Sequence, residues 1–101
     1  MRVVMIGAGG VGGAAALIAQ RREFHEAFVV ADYDESRARK VVDRAGDTRF
    51  HAATVDAGDG DAVAELLRST QADAVLNACD PRFVTPIFEA ARRTGTTYLD
   101  M

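Results

Sequence analysis

A single cysteine, Cys79, and only two histidines stand in this chain of 101 residues. The cysteine has no partner for an internal disulfide, and His25 and His51 lie far from it in sequence, so no zinc or other metal site is expected. A reducing, cytoplasmic setting fits that usage. Two prolines and no Pro/Ser-rich or low-complexity stretch leave no linker, so one domain spanning residues 1–101 is expected. Charge of one sign is never blocked: 12 Lys and Arg face 15 Asp and Glu, for a net charge of -3. That balance speaks against nucleic acid as a partner. One uncharged run, Val3 to Gln20, has the length of a signal peptide or membrane span. Gly7, Gly9, Gly10, Gly12 and Gly13 fall inside it, and each weakens a helix by roughly 1 kcal/mol relative to alanine. No membrane partner is therefore expected, and the run divides into a strand, a glycine turn and a helix.

What is present alternates: β-branched runs and amphipathic stretches follow one another as β-α-β-α-β-α-β-α-β. Arg2 to Ile6 is a continuous apolar run, the pattern of a central parallel strand buried on both faces. A helix opens near Gly10 and extends to about Arg22, with Val11, Ala14, Ala15 and Ile18 on its expected buried face. Strand two covers Phe28 to Ala31 and ends at Asp32. Helix two starts at about Asp34, an N-cap residue, presents Ala38, Val41, Val42 and Ala45, and stops at Gly46. Phe50 to Val55 reads as a strand nearer an edge. Helix three, from about Asp59 or Asp61 to Ser69, buries Val63, Leu66 and Leu67. Ala74 to Ala78 is strand four, and helix four, about Phe83 to Arg93, carries Val84, Ile87, Phe88 and Ala91 on one stripe before Gly95. Thr96 to Leu99 is strand five. Right-handed crossovers then give an α/β, Rossmann-type doubly wound parallel sheet of order 3-2-1-4-5 with helices on both faces. Ligands of such sheets bind beyond the strands' carboxyl ends, at the switch between strands one and four.

The residues at that switch carry chemistry. Gly7-Ala8-Gly9-Gly10-Val11-Gly12 reads G-x-G-x-x-G between a strand and a helix, and Asp32 follows twenty residues after the last glycine. Gly7 permits the tight turn, Gly9 lets a pyrophosphate approach backbone N–H groups, and Gly12 lets the helix pack closely on the strand. Those N–H groups and the positive end of the helix bind an anion without a basic residue. A dinucleotide cofactor is expected here. Asp32 suits the ribose hydroxyls, or alternatively caps a helix or stands solvated beside Asp34 and Glu35. Tyr33 follows it at the same strand end, and Arg37 is placed to reach a 2′-phosphate, which favours NADP. A carboxylate about 4 Å from a phosphate charge costs about 4 kcal/mol at an effective dielectric of about 20, while an exposed arginine returns roughly 1 kcal/mol. NAD is therefore expected over NADP, with NADP still open.

Asp56 and Ala57 end strand three, where an acid commonly meets the adenine amino group; an N-cap role for Asp56 in a short turn is the alternative. Asn77, Ala78 and Cys79 end strand four, so their backbone is expected to flank the cofactor's second ribose, although the Asn77 side chain also suits the following turn. Cys79 lacks a histidine base nearby and reads as packing. His25 and His51 read as solvated or edge residues, and Arg21-Arg22 and Arg92-Arg93 suit helix C-termini. No catalytic residue is assigned.

Three segments together resemble the N-terminal NAD(P)-binding domain of saccharopine dehydrogenase and its relatives, carboxynorspermidine dehydrogenase among them. They are VVMIGAGGVGG, VVADYDESRA and ADAVLNACDPRFVTPIFEAARRTGTTYLDM. The glycine motif is common to many dinucleotide folds; the strand-four end Val75-Leu76-Asn77, the Pro81 turn and the ending Tyr98-Leu99-Asp100 are more specific. The resemblance implies an oxidoreductase that moves a hydride between a nicotinamide cofactor and a carbon–nitrogen bond, with this chain as the N-terminal fragment of a larger enzyme. It also implies a C-terminal substrate domain of the same chain, a homodimer in the full-length protein, and no turnover by these residues alone. Gly7, Gly9, Gly12 and Asp32 match the family's cofactor positions, and Arg37 departs from a clean NAD pattern. A non-enzymatic nucleotide-sensing domain of the potassium-channel and transporter type is the alternative, on the partial likeness of Val55-Asp56-Ala57-Gly58-Asp59 to its strand-three ending. A short-chain dehydrogenase would need a Tyr-x-x-x-Lys pair, and the only lysine is Lys40.

Overall fold

The structure is a computed structural model that describes residues 1–101. The apolar run β1 (Arg2–Ile6) takes the centre of a parallel sheet, flanked by β2 (Ala27–Asp32) and β4 (Ala74–Asn77), with β3 (Phe50–Thr54) and β5 (Thr97–Asp100) at the edges. The order is 3-2-1-4-5, as the crossover rule requires. Helices α1 (Gly10–Gln20) and α2 (Glu35–Ala45) lie on one face; α3 (Gly60–Ser69) and α4 (Val84–Thr94) lie on the other, α4 entered through a single 3-10 turn at Pro81–Phe83. None of these helices is long and apolar enough to cross a membrane.

Because side chains alternate along a strand, β1 feeds two cores at once. Val3 and Met5 join Phe28 and Val30 beneath α1 and α2, whereas Val4 and Ile6 join Val29 and Val75 beneath α3 and α4. Burying each such side chain contributes roughly 1.5–3 kcal/mol. The helix ends follow the local chemistry. The Asp34 carboxylate accepts from the Ser36 N–H (2.9 Å) and that of Asp59 from the Ala62 N–H (3.1 Å), while Gly46 (φ 60) and Gly95 (φ 69) close α2 and α4 in the left-handed conformation.

The amino ends of the strands are stitched by two arginines. The Arg49 guanidinium donates to the carbonyls of Gln20 (2.9 Å) and Arg22 (2.7 Å) and pairs with Asp47 (2.7 Å). That partner holds the Asp47 carboxyl down at about 2. Arg2 donates from Nε to the Thr70 carbonyl and from its backbone N–H to Asp73, both at 2.7 Å.

Three expectations are corrected. The face of α1 that packs on the sheet is Gly12, Ala16 and Ala19, while Val11 and Ile18 project into solvent, about 60% exposed. Small residues win because they let the helix approach the sheet closely. In α4 the buried residue is Ala90 where Phe88 was expected; Phe88 stands half exposed against the Tyr98 ring. His25 is buried, not solvated: Nε2 bonds the Ala19 carbonyl at 2.8 Å, and its ring meets Phe24, Phe28 and Phe50 edge-on. His51 is exposed on the edge strand, as expected.

Candidate functional site

A turn at the end of β1 builds the site. Gly7 adopts φ 112, which only glycine takes without strain, and a Cβ there would stand 2.7 Å from the Ala78 carbonyl oxygen. A Cβ on Gly12 would overlap the Gly7 carbonyl oxygen, so the start of α1 rests directly on the loop. Gly9 is different, since a Cβ there would meet nothing within 4 Å. The first and last glycines of the motif thus serve packing, and the middle one leaves space open for a ligand. The first N–H groups of α1 have no intrahelical acceptor and are available to an anion.

A cleft of about 480 Å³ opens at this point, between the carboxyl ends of β1, β2, β3 and β4. Of the residues singled out from sequence, Gly7, Gly9, Asp32, Tyr33, Arg37, Asp56, Ala57, Ala78 and Cys79 line it. Ala8, Gly10, Val11, Gly12 and Asn77 do not. Ala8 and Gly10 face a second groove between α1 and α2, which carries Arg37, Lys40 and Arg44. Val11 turns to the opposite side of α1, and Gly12 lies beneath Gly7. Asn77 is buried at 1% exposure; its side chain accepts from the Cys79 N–H (2.9 Å) and donates to the Tyr98 hydroxyl (3.0 Å). It holds the turn, the second of its two sequence readings. Asp80, Arg82 and Phe83 also line the cleft; the first two fall in the stretch Asn77 to Arg82 expected at the switch, without an assigned role, and Phe83 lies just beyond it. The Asp80-Pro81 dipeptide, a turn start, was the signal: Asp80 caps the Arg82 N–H (3.0 Å), and Arg82 lies 5.0 Å over the Phe83 ring.

Asp32 is the electrostatic centre, and it is only 4% exposed. One carboxylate oxygen accepts from the Ala8 N–H (2.8 Å); the other accepts from the Asp34 N–H and from the Arg37 guanidinium, both at 2.9 Å. Burial alone would raise its pKa, but these three donors outweigh it and leave the carboxyl below its ordinary value. The same pairing raises Arg37. Asp32 therefore ties the glycine loop to the β2–α2 turn. Asp56 caps its own turn through the Gly58 N–H (2.8 Å) and remains exposed at the cleft wall.

Cys79 packs at the end of β4. Its thiol points to the Ile6 carbonyl at 3.2 Å, and burial, with the negative charge of Asp32, pushes its pKa up to about 11.

Relatives reach from start to end of the chain: a carboxynorspermidine synthase of Vibrio alginolyticus is 28% identical across 99% of it and 26% of the relative. Among solved structures, saccharopine dehydrogenase (L-Glu forming) of Saccharomyces cerevisiae superposes with a TM-score of 0.83 at 20% identity, over 98% of this chain and 21% of that one. A UDP-glucose-4-epimerase of Stenotrophomonas maltophila with bound NAD gives 0.81 at 20% identity, over 99% of this chain and 36% of that one. At those identities the two structures speak to the fold. The chain thus spans about a quarter of the curated relative and about a fifth of the yeast enzyme. Residues 3–101 match the saccharopine dehydrogenase NADP binding domain, and the chain belongs to that family of nicotinamide-dinucleotide-binding domains.

Proposed function

We propose that this chain is the cofactor-binding domain of an oxidoreductase acting on a carbon–nitrogen bond, and that it holds NADP with the adenosine half of the cofactor in the cleft. The observation that carries this is the meeting of the open Gly9 position, the α1 N-terminus and the paired Asp32 and Arg37 in one cleft. The backbone at Gly9 and Gly10 faces the pyrophosphate. Tyr33 and the Arg82–Phe83 pair bound the adenine, with Asp56 and Ala57 at its far edge. Gly7, Gly12, Ala8 and Asn77 act at one remove, by fixing the loop and the β4 turn, while Val11, exposed on the far side of α1, takes no part. Ala78 and Cys79 flank the second ribose through their backbone.

Cofactor choice turns on the ion pair. A bare Asp32 carboxylate would repel a 2′-phosphate, but here Arg37 already neutralises it at 2.9 Å. Lys40 and Arg44 add positive charge in the adjoining groove. With NADP bound, Arg37, Lys40 and Arg44 together would offset the charge of the 2′-phosphate, while Asp32 keeps the Ala8 and Asp34 N–H donors and turns one oxygen to the remaining ribose hydroxyl. This reverses the preference for NAD drawn from the residues alone. When bound, the nicotinamide supplies the hydride; this chain contributes binding and orientation.

The matched relatives are about four to five times longer, which supports a substrate-binding region elsewhere in the polypeptide. The match over residues 3–101 favours this reading over a nucleotide-sensing domain. Titration calorimetry with NADP and NAD tests it. NADP should bind at least as tightly as NAD, and Arg37→Ala should weaken NADP about tenfold or more, the value of a charge-assisted hydrogen bond, while NAD changes little. A wild-type preference for NAD beyond tenfold would remove the NADP assignment. Dehydrogenase turnover by these 101 residues alone would contradict the domain reading.

A further inference from the structure

We infer that Asp100 faces the nicotinamide half of the cofactor and makes this domain prefer the oxidised form, NADP⁺, over NADPH. Resting on the cofactor assignment proposed above, the adenosine half takes the side of Asp32, Tyr33 and Arg37, beyond β2. The pyrophosphate then lies at the Gly9 loop beyond β1, and the other half of the molecule must run the opposite way, past Ala78 and Cys79 toward β5. Ile6 is in register with Asn77, and Asn77 with Asp100, so the three strand ends stand in one row. Neighbouring strands lie about 4.8 Å apart, which puts Asp100 roughly 10 Å from the end of β1. A ribose with its attached ring reaches about that far.

The carboxylate is held in place by a directed chain of hydrogen bonds that starts at the cleft wall. The Cys79 N–H donates to Asn77 Oδ1 (2.9 Å), Asn77 Nδ2 donates to the Tyr98 hydroxyl (3.0 Å), and that hydroxyl donates to Asp100 Oδ2 (3.2 Å). Asn77 is buried and the Tyr98 ring is braced edge-on by Phe88, so the chain has little freedom. Burial and the bond to Asp100 raise the phenol above its ordinary value, which keeps it a donor. The Met101 N–H bonds the Asn77 carbonyl at 3.2 Å and fixes the backbone just past Asp100. None of the ion pairs in the chain includes Asp100, so its charge is uncompensated. A nicotinamide ring is a cation when oxidised and neutral when reduced, and a nearby carboxylate therefore binds the two forms unequally. For a pair of charges at a partly solvated site the expected difference is about tenfold in affinity, equivalent to a potential ~30 mV lower for the bound two-electron couple.

Titration calorimetry of the 101-residue chain with NADP⁺ and with NADPH tests the inference through the ratio Kd(NADPH)/Kd(NADP⁺). Asp100→Asn keeps the shape and one acceptor and removes the charge; the ratio should fall about tenfold with circular dichroism unchanged. Tyr98→Phe, which releases the carboxylate from its donor, should lower the ratio by about threefold. Glu26→Gln removes an exposed charge just before β2, at the opposite end of the sheet, and should leave the ratio as in the wild type. At about 1 M salt, where screening acts within about 3 Å, the wild-type ratio should approach that of Asp100→Asn. If both forms bind and Asp100→Asn stays within about twofold of the wild-type ratio, the inference is overturned and the cofactor assignment stands. An equal fall in Glu26→Gln overturns it too, since net charge alone would then be at work. A wild type that binds neither form overturns the inference together with the cofactor assignment.

Discussion

Replacing Asp32 by alanine tests the central structural claim, that this carboxylate joins the glycine loop to the β2–α2 turn. In the wild type it is 4% exposed and accepts three hydrogen bonds of 2.8–2.9 Å. Alanine strands the Ala8 N–H, which sits at a buried residue and has little access to water. A buried donor left unpaired costs about 1–3 kcal/mol, whereas the Asp34 N–H, at a more open turn, regains water at a cost of about 0.5 kcal/mol. Arg37 is half exposed and simply returns to solvent. The expected loss is thus about 2–3 kcal/mol, within the about 5–15 kcal/mol available to a domain, so the variant still folds. Urea denaturation followed by circular dichroism should show a midpoint lower by about 2–3 M, with an m-value near 1 kcal/mol/M. Asparagine keeps one neutral acceptor and should lose about half as much. A midpoint shift below about 0.5 M for the alanine variant would refute the reasoning. The pH dependence adds a check. Folding lowers this carboxyl's pKa, so its contribution is complete above the unfolded value of about 4 and disappears as pH falls through the folded value. Asp32→Asn should therefore lose less stability on acidification than the wild type.

Other substitutions separate folding from binding. Gly9→Ala has open space around its new methyl group and should fold with near wild-type stability while abolishing measurable NADP binding in calorimetry. Gly12→Ala meets the Gly7 carbonyl oxygen and should lose at least about 3 kcal/mol in urea titration, or fail to fold. With its thiol pushed up to about 11, Cys79 should react with a disulfide reagent slowly at pH 8. Its rate should rise about tenfold per pH unit up to about pH 10, against a plateau above about pH 9 for an ordinary thiol. His25→Ala removes a buried ring held by three aromatic contacts and a bond to Ala19, and should lower stability by about 2–4 kcal/mol, read from the same urea curves.

Topology was legible because each crossover obeys a handedness rule, and a continuous run such as Val3 to Ile6 permits little but a central strand. The glycine motif was legible because its spacing encodes steric demands that the structure meets at Gly7 and Gly12. The inner face of α1 was not. Gly12, Ala16 and Ala19 share it, and ranking residues by hydrophobicity selects Val11 and Ile18 instead, whereas close approach selects small size. His25 escaped for another reason: its burial depends on Phe28 and Phe50, which only the folded sheet brings together. Arg37 was visible as a candidate for a 2′-phosphate, but its pairing with Asp32 decides the electrostatics, and spacing alone did not show that pairing.

The stitches made by Arg2 and Arg49 divide labour along the strands. Their guanidinium groups bind carbonyls of α1 and α3 ends to the amino edge of the sheet, so the helices are anchored at the end remote from the cleft. Residues between β2 and α2, or between β4 and α4, can then be exchanged or lengthened without slackening the sheet. One scaffold can thereby change its preference among nucleotides at one end while the other keeps it folded, which makes the cofactor cleft the part of this domain most open to redesign.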